Sequence, residues 1–229
     1  MKIYYTTTIP HGQDETFQHP TFPDDYEFNP EPYINTHDRT HDHMLCPAFK
    51  EWAKNRWTFY SPIDIHFRVD SGNKIIGSDT CAQSQFERLF RIRDGWWENE
   101  LPEIEIQYLH LFWTKAKHVW VEFTGHESNK GFNMVPGTFP ISSWVRSLPL
   151  GMVVTDIDKD INIKRGDPIC NVRFYDKKGS KFQLDRSIPD NNIVRRVKHD
   201  RELKDWSPFK SWDLIMKREE KQCPLRFLS

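Results

Sequence analysis

From Leu150 to Asp176 the chain reads LGMVVTDIDKDINIKRGDPICNVRFYD, and its apolar and polar positions alternate. Cys170, Val172 and Phe174 share one face while Asn171, Arg173 and Tyr175 share the other, the signature of a half-buried strand. The stretch predicts a strand, a polar turn, a short strand, a Gly-Asp-Pro corner and a longer strand. Gly166 can take a positive φ and Pro168 sets the exit of the chain, so the corner has a local cause. Residues 2–9 are β-branched and aromatic enough for a strand, and residues 57–69 read as a strand interrupted at Ser61-Pro62, with Ile63, Ile65 and Phe67 alternating with Asp64, His66 and Arg68. Lys74-Ile75-Ile76 returns after a Ser-Gly-Asn turn, which predicts a hairpin. Residues 104–123 predict one long strand, with Ile104, Ile106, Tyr108 and His110 on one face, and a second strand after Lys115-Ala116-Lys117. Residues 78–100 fit either a short amphipathic helix or an edge strand.

Three segments depart from this period. Residues 10–35 carry prolines at 10, 20, 23, 30 and 32 interleaved with Phe17, Phe22, Tyr26, Phe28 and Tyr33. Proline blocks regular ladders while the aromatics provide area to bury, so this segment is expected to wrap over the core or onto a partner. Pro47 suits the first turn of a short helix with Phe49, Trp52 and Ala53 on its buried face. Asp190 is a candidate N-cap for a helix over about 191–204, and Ser207-Pro208 opens another with Phe209, Trp212, Ile215 and Met216 on one face. The expected organisation is a single domain: an N-terminal strand and arm (1–35), a β core with one short helix (36–187) and a helical C-terminal appendix (188–229). The fold class is mainly β, an antiparallel sandwich of jelly-roll (double-stranded β-helix) type with C-terminal helices.

Composition supports a folded chain. Of 229 residues 37% are hydrophobic, and 16 Phe, 9 Trp and 7 Tyr bring large buriable areas. Lys+Arg total 32 against 33 Asp+Glu, a balance that recruits neither nucleic acid nor an acidic membrane. Cys46, Cys81, Cys170 and Cys223 form no CxxC pair. With no apolar leader after Met1 and no long apolar run, the expectation is a cytoplasmic protein with reduced thiols.

Four features can carry chemistry. His37, Asp38, His41, His43 and Cys46 are metal-ligand types, and a His-x-His pair with a carboxylate suits iron or zinc. The plain alternative is a polar loop with Cys46 buried, and Met44–Phe49 lacks the glutamate of cupin-like spacing. His118 and Glu122 would share a strand face, with His126 just beyond; were His110 their cross-strand neighbour, three ligands or an acid–base pair would converge. Its alternative is the solvent-facing side of an antiparallel sheet. Trp113, Trp120 and Trp144 can line a pocket or sit in the core. The Gly166-Asp167-Pro168 corner is comparable to a strand start in dUTPase-type trimers, but their uridine pocket is absent. Phosphate-loop, dinucleotide, nucleophile-elbow and zincin motifs are also absent.

Cys46-Pro47, Trp57 with Ser61-Pro62-Ile63-Asp64, Phe112-Trp113-Thr114, Gly137 with Phe139-Pro140-Ile141, Trp144, Leu150-Gly151 and the run from Ile163 to Cys170 form a set. Over residues 45–176 this set resembles a family of uncharacterised proteins from bacteria and tailed phages, including phages of marine bacteria. The resemblance implies a phage or bacterial origin, with a host cytosol as location if phage-encoded, and no activity to transfer. Two functions fit these features. One is an accessory protein acting through a protein partner or a homo-oligomer. The other is a metal-dependent, oxygenase-like enzyme with non-haem iron at His41 and His43. Whether the chain is an enzyme stays open at this point.

Overall fold

The computed structural model describes residues 1–7, 29–36, 42–61, 64–70, 75–77, 90–93, 103–106, 110–146, 148, 150–206 and 208–221. In chain order the described strands begin β1 (Lys2–Thr7), β2 (Glu31–Pro32), β3 (Arg56–Tyr60), β4 (Ile65–Val69) and β5 (Ile75–Gly77). They continue as β6 (Phe90–Arg93), β7 (Glu103–Ile106), β8 (His110–Trp113), β9 (Trp120–Gly125) and β10 (Phe132–Met134). The last are β11 (Gly137–Pro140), β12 (Leu150–Val154), β13 (Asp160–Ile163), β14 (Pro168–Tyr175) and β15 (Gln183–Arg186). Helix α1 (Pro47–Ala53) precedes β3, and α2 (Asn191–Trp206) and α3 (Pro208–Lys221) follow β15. The fold is mainly β with C-terminal helices. Among the described residues no helix is long and apolar enough to cross a membrane.

The strands form four sheets, ordered β15-β1-β8, β10-β12-β7-β6, β11-β9-β14-β3-β2 and β13-β4-β5. Pairings are antiparallel except β1 with β15. The stretch from Leu150 to Asp176 forms the expected three strands, and they enter three different sheets: β12 pairs β7, β13 pairs β4, and β14 lies between β3 and β9. Gly166 has φ 87°. Its corner is closed by the Ser61 N–H to the Asp167 carbonyl at 2.8 Å and the Gly166 N–H to the Ser61 carbonyl at 2.9 Å. The Asp167 carboxylate accepts from the Lys164 N–H at 2.7 Å, so this acid shapes the turn.

One core runs through all four sheets, with Ile3, Phe59, Phe67, Ile104, Phe112, Val121, Phe174 and their neighbours. Strand β14 shows the expected two faces. Cys170, Val172 and Phe174 enter the core, while Arg173 and Tyr175 stay half-buried on the other side. Asn171 is also buried, and its side-chain Oδ1 accepts from the Thr58 hydroxyl at 3.0 Å. At Gly137 an added Cβ would run into the Phe123 ring, so this strand position has room only for hydrogen.

Several expectations need correction. Residues 104–123 do not begin with one long strand: β7 and β8 belong to different sheets, and β8 pairs β1, with His110 opposite Thr7. Period-2 reading fails at β8 because all four residues are buried. Phe112 faces the main core, whereas Leu111 and Trp113 pack with Val145 and with Val197 of α2. Of the residues assigned to the buried face of α1, Ala53 is buried but Trp52 is 42% exposed. The ambiguous segment contributes an edge strand, β6, next to β7. The end of the proline-rich arm is part of the fold: Glu31–Pro32 pairs with Thr58 and Trp57, and Tyr33 is buried. Proline at the rim of a sheet leaves no ladder donor unpaired. Helices form at Asn191–Trp206 and Pro208–Lys221, with the Asp190 carboxylate accepting from the Asn192 and Ile193 N–H groups at 2.9 Å. Ser207 and the Phe209 side chain lie outside the described residues, and of the face expected on the last helix Ile215 is buried while Trp212 is 38% exposed.

Candidate functional site

Of the first histidine group, His37, Asp38 and His41 lie outside the described residues, as does the His43 side chain. Cys46 is an exposed free thiol at the N-cap of α1, not the buried cysteine of the plain reading. Among the described residues no three His, Cys, Asp or Glu side chains are grouped closely enough to hold a metal ion.

The second group is distributed over four environments. His110 is buried, its ring edge-on to Phe59 at 4.8 Å and parallel to Phe112 at 6.4 Å. Its Nδ1 is buried without a partner, and burial lowers its pKa from 6.5 to about 3. His118 lies before β9, not on it, at φ 57°. Its Nδ1–H donates to Glu219 Oε1 at 2.8 Å. Glu122 instead accepts from Arg56 Nη2 at 2.7 Å. His126 Nδ1 accepts from the Ser128 N–H at 3.2 Å, a local turn. The tryptophans also part company. Trp113 stacks on Tyr4 at 5.9 Å, Trp120 on Tyr175 at 6.5 Å, and Trp144 meets Trp212 at 6.4 Å.

His110 makes the acid response of the fold predictable. In the native state it stays neutral far below the pH at which an unfolded chain's histidine protonates. Its lowered pKa therefore favours the unfolded state as pH falls from about 6.5 towards 3, and contributes no loss above that range. His110→Leu is expected to flatten the decline of stability with acid by up to about 1.4 kcal/mol per pH unit. Urea unfolding midpoints at pH 7, 6 and 5 would show it; parallel declines in the two proteins would refute the assignment.

Two polar assemblies do converge. The first lies on the outer face of the five-stranded sheet. Register places Thr138, Glu122, Arg173 and Arg56 in one row across β11, β9, β14 and β3. The Arg56 side chain is only 1% exposed, its guanidinium stacked on the Trp52 ring at 4.0 Å. Burial lowers the Arg56 pKa, and the Glu122 carboxylate works against that shift. Tyr33 roofs the same region, donating to Glu127 Oε1 at 3.4 Å, and burial raises its pKa to about 12. Where α1 ends, a cleft of about 360 Å³ opens beside this row, lined by Lys54, Asn55, Glu122, Arg173, Tyr175 and Ser180 among others.

The second assembly joins α3 to the β core. Glu219, buried, accepts from His118 through Oε1 and from Ser142 through Oε2 at 3.0 Å. Ser143 donates to the same Oε2. Arg196 of α2 adds a bond from Nη2 to the Ser142 carbonyl at 3.2 Å. A carboxylate on His Nδ1 sets the tautomer and leaves the Nε2 lone pair free. Here, however, Nε2 is buried with no partner, and both serine hydroxyls address the acid, not the imidazole. The arrangement clamps a helix. Glu219 was missed in the sequence although a signal was present: it continues the Trp212, Ile215, Met216 spacing, so a carboxylate sits on the apolar stripe. Arg56 and its partner were not legible, because only cross-strand register joins them.

No family model matches the chain, and no curated protein matches it.

Proposed function

We propose that the chain is a phage or bacterial accessory protein that acts by holding a protein partner, on a β scaffold of jelly-roll type. The observation carrying this reading is the exposure of large apolar side chains on the helical segments bordering the core. Leu45 is 70% and Trp52 42% exposed before β3, and Trp212 is 38% and Leu214 40% exposed on α3. Side chains of this kind, presented from elements that the core already anchors, are what a partner surface uses. The candidate acid–base groups point the same way, since Glu122, His118 and Glu219 are committed to bonds that hold the fold. For the jelly-roll reading, the support is that four sheets share one core, with the parallel β1–β15 pair as a departure.

The test separates arm from core. Because Tyr33 and β2 pack on the body of the protein, the deletion is confined to residues 10–28. A full-length bait is expected to retain a protein from bacterial lysate that neither the deletion nor Trp212→Ser/Leu214→Ser retains, with all three melting cooperatively. Equal retention by all three baits would overturn the reading.

A further inference from the structure

We propose that the cleft between the end of α1, β14 and the turn after β14 is a binding site for a small organic oxyanion, a carboxylate or phosphate monoester carried on a flat ring. It is independent of the partner surface proposed above. The cleft of about 360 Å³ is lined by Glu51, Glu122 and Asp176 as well as Lys54 and Arg173, so its composition alone does not favour an anion. The bonding does. Glu122 is taken by Arg56 at 2.7 Å, and Glu51 pairs with Lys54 at 3.4 Å. Asp176 accepts from the Lys178 N–H at 3.0 Å and from the Ser180 N–H and hydroxyl at 2.9 and 2.6 Å.

Arg173 is left over. Its row contains two guanidinium groups and one carboxylate, and Glu122 bonds to the other arginine. The Arg173 Nε is buried without a hydrogen-bond partner. That nitrogen is closed off from the cleft; Arg173 lines the cleft, and the terminal Nη groups of a guanidinium match a carboxylate or phosphate in two parallel bonds. The walls are built to hold their shape. Asn55, at φ 56°, donates from Nδ2 to the Ser180 carbonyl at 2.8 Å and accepts from the Phe182 N–H at 3.1 Å. This ties the turn after β14 to the end of α1, and both segments line the cleft with Arg173. Tyr175 lines the same cleft, its ring stacked on Trp120 and the Arg173 guanidinium 6.0 Å from its centroid, so the ring of a ligand bonded to Arg173 lies beside an aromatic wall.

The probes are phenyl phosphate, benzoate and inorganic phosphate, titrated by calorimetry into the full chain at constant ionic strength. Phenyl phosphate or benzoate is expected to bind at least tenfold more tightly than inorganic phosphate, and the tighter of the two identifies the headgroup. Arg173→Gln should weaken that probe at least tenfold, Arg173→Lys by less, and exposed Lys177→Gln not at all. No binding by any probe, or equal binding by wild type and Arg173→Gln, would overturn the proposal. Should Arg173→Gln fail to fold by circular dichroism, Arg173→Lys decides: undiminished affinity overturns it, because a point charge cannot reproduce the fork.

Discussion

Glu219→Ala is expected to detach α3 from the β core, at a cost on the order of 3 kcal/mol. The carboxylate receives donors from three residues, His118, Ser142 and Ser143. Hydrogen bonds to a charged acceptor are worth more than neutral ones, and removing the acceptor strands buried donors. Water can reach part of the seam, because the His118 side chain is 30% exposed, which keeps the loss below a full sum. Glu219→Gln should cost about half as much, since one carbonyl oxygen can still accept. Hydrogen exchange is the discriminating readout: amides of residues 208–221 should lose protection while those of β9 and β14 keep theirs. Unchanged protection of α3 would show that Ile215 and the Trp144–Trp212 contact hold the helix without the acid.

The second large effect belongs to the Arg56–Glu122 pair, and it should be asymmetric. Glu122→Leu leaves a guanidinium that is 1% exposed without its carboxylate, whereas Arg56→Met leaves a carboxylate that is 34% exposed and can be hydrated. Removing one member of a buried pair costs about 3–5 kcal/mol. The glutamate substitution should approach the lower figure and the arginine substitution should fall well short of it. The double variant Arg56→Met/Glu122→Leu should recover most of the loss, because replacing a buried pair by apolar side chains is often neutral. Urea unfolding of the four proteins closes the cycle. Equal single costs that add in the double variant would refute the account. The cycle also bears on Arg173: with Arg56 gone, Glu122 becomes available to it, and affinity for the oxyanion probes should fall.

The two assemblies differ in how much of each one segment of chain displays. Glu219 is visible along a single helix, as a charge at the fourth corner of an apolar stripe. His118 and Glu122 were grouped by strand alternation, yet His118 sits in a left-handed conformation ahead of the strand, where alternation does not apply. His110 does not meet the condition of being a cross-strand neighbour of His118 and Glu122. Its sheet partner is β1, more than a hundred residues earlier in the chain, and nothing local encodes that choice.

What the sequence determined by itself is the set of local structures. Alternation set β4, β13 and β14; Gly166 and Pro168 set the corner; Asp190 set the start of α2. Each depends on steric and hydrogen-bonding preferences acting within a few residues. The two faces of β14 were legible too, including the side on which Arg173 lies. Only the tertiary structure decided that Glu122 would bond to Arg56 and leave Arg173 without a carboxylate, and that Glu219 would meet His118 and two serines. Those outcomes rest on register between strands and on the seat of a helix. Both are fixed by packing among distant segments, where burial changes the worth of every charge it encloses.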